Sequence, residues 1–541
     1  MSDDVKHECA VAMVVLRKAT VAAGDRGGTK LSLLMEQQHN RGQDGAGAAI
    51  LSNNPNPGEP PYWIAKSASA TPLVDILGAI GKRESAQDER IFLGHLRYAT
   101  FGKNEVAFCH PFVHEASELA RTLLLAGNFN LTNASELFET HRRKGAFPTS
   151  KADGYLICEM IAHELGDTRS LASAIAKALA NADGAWTLCG ATGDGWAFAT
   201  RDPHGIRPGF YLLNDDFVAV ASERPAIQAA FDVPPDAVKE IPPGKALVVS
   251  PSGDVEMVEA SPPGEPRPCV FERIYFSRAN DAAIHRERKA LGAVLVPQVL
   301  QAANAPLDDV FFSYIPNSAR IAFHGMLERL FAECGTVRFG EVAVKDAKFR
   351  TFIADAAARR EFYKHVYDVT YGLVKKDDTL VVLDDSIVRG NTMKNAILPM
   401  LDRLGPKRIV IASSAPPIRY PDCYGIDMST LGELVAFKAL VNLLGGRNAL
   451  AQAVAAGATL PELYARFADE QHSAEIARLL TPPGMKAEVK VAYQAIDALH
   501  AACPGSSGDW YFTGDYPTPG GYKVLHQAIE NYLAHRNERS Y

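Results

Sequence analysis

The 541-residue chain has no Cys-x-x-Cys pair, no long apolar run and no excess of positive charge, and each absence closes off a class of protein. Its eight cysteines, at 9, 109, 158, 189, 269, 334, 423 and 503, are scattered. That argues against a zinc ribbon and a disulfide framework, and it fits a reducing cytosol. No stretch of about 18 or more apolar residues occurs, so no membrane-spanning helix is expected. The 56 basic residues are outnumbered by 63 acidic ones, a net charge of −7, which removes the electrostatic case for nucleic-acid binding and leaves only local basic sites aimed at small anions. The first eight residues, MSDDVKHE, are acidic and lack an apolar h-region, so they are no secretory signal. There is no internal repeat and no low-complexity tract.

What is present is ordinary globular material, 47% hydrophobic and 22% charged, on a chain too long for one core. From Cys9 to about residue 260, short apolar runs alternate with turns, as in RIFLGHLRYAT, LARTLLLAGNFNL, GAWTLCGATGDGWAFATRD and GFYLLNDDFVAVASE. Two helical patterns, YLICEMIAHEL and SLASAIAKALANA, are interleaved with them. This predicts an α+β domain of two packed sheets with helices outside. The Pro-rich stretch EASPPGEPRPC, ending at Cys269, marks a boundary. After it, helices alternate with strands (ERKALGAVLVPQVLQAA, DDVFFSYIP, ARIAFHGMLERLFAEC, TLVVLDD, RIVIASS), which predicts an α/β domain built on a parallel sheet.

The segment TLVVLDDSIVRGNTMKNAILPMLDRL carries the most chemistry. An apolar strand ends in Asp384 and Asp385; a turn with Gly390 follows, and a helix starts near Thr392. Ligands of open α/β sheets bind beyond the carboxyl ends of the strands, and free N–H groups at a helix start suit phosphate. The two acids either hold sugar hydroxyls or a metal on a pyrophosphate, or only cap a helix. The full order of strand, Asp-Asp, Gly and Thr favours the ligand reading.

This segment resembles the phosphoribosylpyrophosphate (PRPP) motif of type I phosphoribosyltransferases, and in particular that of the amidophosphoribosyltransferase family. SSAPPIRYPDCYGIDM, CVFERIYFSRAND and KFRTFI are similar to further segments of that family. The resemblance implies PRPP binding by Lys348, Arg350, Asp384, Asp385, Ser386, Arg389, Gly390 and Thr392, and Mg²⁺ held with Ser318, Asp384 and Asp385. Lys348 and Arg350 fall on the loop that closes over PRPP in the family, where excluding water protects the reactive sugar.

In front, the same family carries a class II glutaminase of the N-terminal-nucleophile type, with a four-layer αββα fold. HNRGQDGAG (39–47), GHLRYAT (94–100), GNFNLTN (127–133), RDPHGIRP (201–208) and ASE (221–223) resemble its segments, in its order. The implied layout is a propeptide over 1–8, a glutaminase domain over 9–262, a phosphoribosyltransferase domain over 263–500 and a helical extension over 501–541. Cys9 becomes the nucleophile once the leader is removed: a terminal amine, with a reference pKa of about 7.7–8.0, takes the proton from its own thiol. Asn128 and the backbone N–H of Phe129 are the implied oxyanion donors. Arg97 is the implied clamp for the glutamine carboxylate, and Asp153 binds its amino group.

Two departures stand out. Phe129 and Phe349 each occupy a position where the family usually has Gly. Of the four cysteines that hold a [4Fe–4S] cluster in some members, Cys269 matches, Cys423 is displaced by one, and Gly508 and Tyr511 replace the last pair, so no cluster is expected.

The function implied is glutamine-fed conversion of PRPP to 5-phosphoribosylamine, glutamate and pyrophosphate, opening purine biosynthesis. It takes place in the cytoplasm, in a homo-oligomer inhibited by purine nucleotides, with no nucleic acid or membrane involved. Two alternatives stay open: a glutaminase feeding another ammonia acceptor, and a PRPP- or nucleotide-sensing binding protein.

Overall fold

The computed structural model describes residues 8–18, 23–52, 58–83, 88–99, 105–150, 152–168, 170–316, 318–345, 367–536 and 538–540. The first half folds as two stacked antiparallel sheets. The seven-stranded sheet runs in the order Val238–Glu240, Phe210–Leu213, Phe217–Ala221, Ala10–Leu16, Glu89–Arg97, Gly45–Ser52, Tyr62–Ser67. The six-stranded sheet runs Val255–Glu259, Lys245–Val249, Ala197–Arg201, Gly184–Thr192, Leu123–Leu131, Phe112–His114.

The alternation of side chains along each strand sorts the cores. In the first strand, Val11, Met13 and Val15 meet Leu124, Cys189, Ala191 and Leu247 between the sheets. Ala10, Ala12, Val14 and Leu16 face outward, onto the layer containing Leu31, Leu34 and Met35 of helix Ala23–Gln37. The other sheet's outer face packs on helices Asp153–Thr168 and Leu171–Leu179. The layering is therefore αββα, the N-terminal-nucleophile arrangement.

The second half is built on a parallel five-stranded sheet in the order Arg338–Phe339, Val310–Tyr314, Thr379–Asp384, Arg408–Ser413, Glu488–Tyr493. Its strands are apolar on both faces because helices cover both. Leu380, Val382, Ile409 and Ile411 face one helical layer, while Val381, Leu383, Val410 and Ala412 face the other. A third core ties the halves together: Ala185 and Ile206 of the first pack with Phe271, Tyr420, Tyr424, Trp510 and Tyr511 of the second. The C-terminal helix Pro519–Leu533 is docked on the first half through Thr518 and Gly520, which both donate to Asp183.

Candidate active site

Cys9 immediately precedes the first strand, in the middle of its sheet. Its Sγ accepts the backbone N–H of Tyr98 at 3.3 Å and lies 3.7 Å from the Tyr98 carbonyl. Burial pushes the thiol up to about 11, and Asp44 and Asp153 add to that, against the Tyr98 hydrogen bond and Arg97. A thiol so placed is neutral at pH 7 and needs a base beside it before it can attack.

Arg97, the last residue of strand Glu89–Arg97, is buried, with its guanidinium 5.7 Å from the centre of the Phe108 ring. Asp153 opens helix Asp153–Thr168, and its Oδ1 accepts the Gly154 N–H at 3.1 Å. Burial pushes the Asp153 carboxyl up to about 6, although backbone N–H groups and Arg539 from the C-terminal tail pull the other way. Cys9 and Asp153, half-buried, and Arg97, buried, are far apart in sequence but act on one another in one electrostatic field.

Asn128 sits on strand Leu123–Leu131. The side chains of 123 and 125 point to the helical layer and that of 124 to the space between the sheets, so alternation sends Asn128 inward and Phe129 outward. Phe129 packs beside Gly127 and Gly154 and stacks on His110, ring centres 5.6 Å apart. The bulk that replaces the family's usual Gly therefore lies on the face opposite Asn128.

Two buried histidines clamp the strand one residue earlier. Gly127 N–H donates to His110 Nδ1 at 3.1 Å, and Gly127 O accepts from His95 Nε2 at 3.0 Å. The rings stack at 3.9 Å. Burial drives His95 down to about 3 and His110 well below its usual value, so both are neutral and each keeps the tautomer its hydrogen bond requires.

Several residues of the quoted motifs prove to share a cluster that sequence reasoning did not assign. Arg41 is wholly buried and donates to Glu223 at 2.7 Å and to Glu272 at 3.1 Å. It thus joins HNRGQDGAG, ASE and FERIYFSR across the two halves. Asp202 caps the turn of RDPHGIRP, accepting N–H bonds from His204, Ile206 and Arg207. That turn aims the Arg207 guanidinium at the second half, where a Cβ on Gly425 (φ +113°) would come within 2.6 Å of it. Glu8 completes the cluster, paired with both Arg41 and Arg207. The available signal was charge at apolar surroundings within motifs, but nothing local says which charges meet.

In the second half, strand Thr379–Asp384 delivers the two acids to its carboxyl end. Asp384 is half-buried and accepts the N–H of Asp385 at 2.9 Å; Asp385 is buried and accepts the Ser318 hydroxyl at 2.7 Å. Burial pushes Asp385 above the usual carboxylate range, against Ser318, Asp384 and Arg288. Ser386, Arg389 and Thr392 are half-buried around the turn. Gly390 has φ +79°, and a Cβ there would meet Leu480 Cδ2 at 2.3 Å, so the turn requires glycine. The helix that follows starts at 391, with the Lys394 N–H closing its first turn on the Gly390 carbonyl. Lys348 and Arg350 lie outside the described residues.

The two candidate centres are joined by short contacts. The hydroxyl of Tyr98, next to Cys9, is 3.5 Å from Asp427 Oδ2. Arg389 of the Gly390 turn donates to the Asp427 carbonyl at 3.0 Å and to Glu433 at 2.7 Å. Asn130, two residues after Asn128, donates to the Cys423 carbonyl at 2.6 Å.

The residues around Cys269 do not fit an iron–sulfur cluster, which needs four thiolates. Tyr511 is fully buried there, its hydroxyl 3.5 Å from Cys269 Sγ while it accepts the Phe271 N–H at 2.8 Å and donates to Gly508 O at 3.1 Å. For a divalent cation the oxygens of Asp384, Asp385 and Ser318 do fit, being the hard ligands Mg²⁺ takes alongside water and phosphate. Among the described residues there is no group of three or more His, Cys, Asp or Glu that would hold a metal unaided.

No model of a protein family matches the chain. The amidophosphoribosyltransferase of Pasteurella multocida is 30% identical over 366 residues, spanning 64% of this chain and 69% of the relative. That of Methanocaldococcus jannaschii is 29% identical over 424 residues, 74% of this chain and 83% of the relative. The solved glutamine PRPP amidotransferase from B. subtilis, complexed with ADP and GMP, has the same fold: TM-score 0.71 at 24% identity, over 94% of this chain and 97% of that one.

Proposed function

The chain belongs to the amidophosphoribosyltransferase family, and from that premise we propose how its two centres divide the reaction. The activity is that of a glutamine-dependent pentosyltransferase of purine biosynthesis. On our reading residues 1–8 are removed, and the new α-amine of Cys9 takes the thiol proton. Cys9 Sγ then attacks the glutamine carboxamide, with Arg97 and Asp153 gripping the α-carboxylate and α-amine. The oxyanion meets the Asn128 amide and the Phe129 N–H. Collapse of the tetrahedral species releases ammonia and leaves a thioester, which water hydrolyses to glutamate.

Ammonia reaches the second centre inside the protein, because in bulk water at neutral pH it would be protonated and unreactive. There Asp384 and Asp385 face the ribose, and Ser386, Gly390 and Thr392 offer N–H and hydroxyl groups to its phosphate. Ammonia displaces pyrophosphate at the sugar C1. Mg²⁺ on Asp384, Asp385 and Ser318, when bound, neutralises the leaving group.

The observation that carries this reading is the Tyr98–Asp427–Arg389 chain of contacts, which links the surroundings of Cys9 to the Gly390 turn and supports a division of the reaction between two adjoining centres. The Asn128 amide, bonded to a carboxylate beside Cys9, supports its role as an oxyanion donor. The misfit of Tyr511 with a cluster supports an enzyme free of iron. We infer purine nucleotides as feedback ligands, since the Bacillus protein is complexed with ADP and GMP, and a homo-oligomer in the cytoplasm. No helix among the described residues is long and apolar enough to cross a membrane.

The test is glutamine hydrolysis with and without PRPP, with 5-phosphoribosylamine trapped as it forms. Hydrolysis stimulated by PRPP and matched by product supports the reading. Hydrolysis indifferent to PRPP overturns it.

A further inference from the structure

The Glu8 side chain is only 1% exposed. Its carboxylate pairs with Arg207 and lies 3.7 Å from Arg41 Nη1, and its Oε2 accepts a hydrogen bond from Asn128 Nδ2 at 3.4 Å. A buried carboxylate persists only when paired in this way. Its partners differ in their need of it. Arg41 has two further carboxylates, Glu223 and Glu272, whereas Arg207 has, among the described residues, no ion pair except with Glu8. Without Glu8, Arg41 keeps both of those carboxylates, while Arg207 and the Asn128 amide each lose a partner.

Glu8 also has the chemistry of the product. Glutamine hydrolysis generates a glutamate side-chain carboxylate beside Asn128, and the leader places the same group on the same amide.

We propose, resting on the reading that residues 1–8 are removed, that Glu8 is a built-in occupant of the glutaminase centre: its carboxylate holds the Asn128 amide until the cut, and the freed leader remains a ligand of the Arg207–Asn128 pocket until it departs. The cut itself is a hydrolysis. The Glu8–Cys9 C–N bond breaks, water supplies the oxygen of a new Glu8 carboxylate, and the Cys9 nitrogen takes the proton. The ligand class is a peptide ending in glutamate.

The test uses the protein purified from its full-length gene in a bacterial host, with the start of the chain read by intact mass. On chains beginning at Cys9, glutamine hydrolysis is followed with added Ser-Asp-Asp-Val-Lys-His-Glu and with the same peptide ending in Gln. The Glu-ended peptide is expected to inhibit competitively with glutamine, at least about tenfold more strongly than the Gln-ended one, as loss of a charged hydrogen bond would give. Equal inhibition by the two, or none, overturns the proposal and leaves leader removal standing. A chain still beginning at Met1 or Ser2 refutes leader removal instead. In that case the Asn128 contact is tested on the uncut chain by alkylating Cys9 with a diazoketone analogue of glutamine. Labelling at least tenfold faster in Glu8→Gln upholds the occupant, and an unchanged rate sinks it.

Discussion

Arg41→Met tests the ion cluster that joins the two halves. Met approximates the volume of the guanidinium stem but leaves Glu223 and Glu272 buried without the cation whose Nε donates to Glu223 at 2.7 Å and whose Nη1 donates to Glu272 at 3.1 Å. Removing one partner of a buried pair destabilises by about 3–5 kcal/mol. At about 2–4 °C per kcal/mol for units of 150–250 residues, Tm should fall by roughly 6–20 °C. The pH dependence gives a sharper check. Burial pushes the Glu272 carboxyl up, but Arg41 and Ser277 bring it below its usual value. In the parent protein that stabilisation is therefore present above the unfolded pKa, about 4.3, and is lost as pH falls through the folded value. In Arg41→Met the Glu272 carboxyl loses that counter-charge and burial raises it, so folding favours its protonated form and the deficit is largest at high pH. Differential scanning fluorimetry should show the gap between the two proteins narrowing from about pH 8 to about pH 5. A Tm drop under about 3 °C, or a gap that does not narrow, would refute the cluster's role.

Asn128→Ala should lower glutamine-dependent kcat by about 10²–10³ while turnover with saturating ammonia is kept; equal loss with both nitrogen sources would contradict an oxyanion role. For the mature chain, kcat/KM for glutamine should rise with pH as the α-amine of Cys9 deprotonates, around pH 7.7–8.0, and then level; a flat profile through that range argues against the amine as base. Gly390→Ala meets both the positive φ and the 2.3 Å contact with Leu480, so it should cost about 1–3 kcal/mol of stability and lower kcat/KM for PRPP with ammonia as co-substrate. Tyr511→Phe strands the Phe271 N–H that its hydroxyl accepts at 2.8 Å, worth about 1–3 kcal/mol; a urea midpoint unchanged from the parent would show that the hydroxyl does not support this region.

Much of the fold was legible because its signals are local. Period-two patterns marked the strands of the first half, and the Pro-rich break before Cys269 separated them from an alternation that reads as a parallel sheet. The Gly390 turn was legible for the same reason: strand, acids, glycine and helix start lie within one short segment, and the positive φ of Gly390 is met by the residue the turn needs. The consequence of Phe129 could not be read from composition. It depends on which face of a strand the side chain takes, and strand Leu123–Leu131 turns the ring toward the outer helices.

What the sequence alone determined was the inventory: two domains, the strand and helix order, a cysteine before the first strand, and two acids at the end of a later one. Only the tertiary structure decided the partnerships. Arg41 meets Glu272 across 231 positions, and Tyr98 approaches Asp427 across 329; the paired histidines beneath Asn128 come from two separate segments. The physical reason is that hydrogen bonding along a helix, and the alternation of faces along a strand, act over a few residues and leave a pattern in them. A buried charge has no such pattern. Its partner is whichever opposite charge the packed domains bring within reach when both leave water.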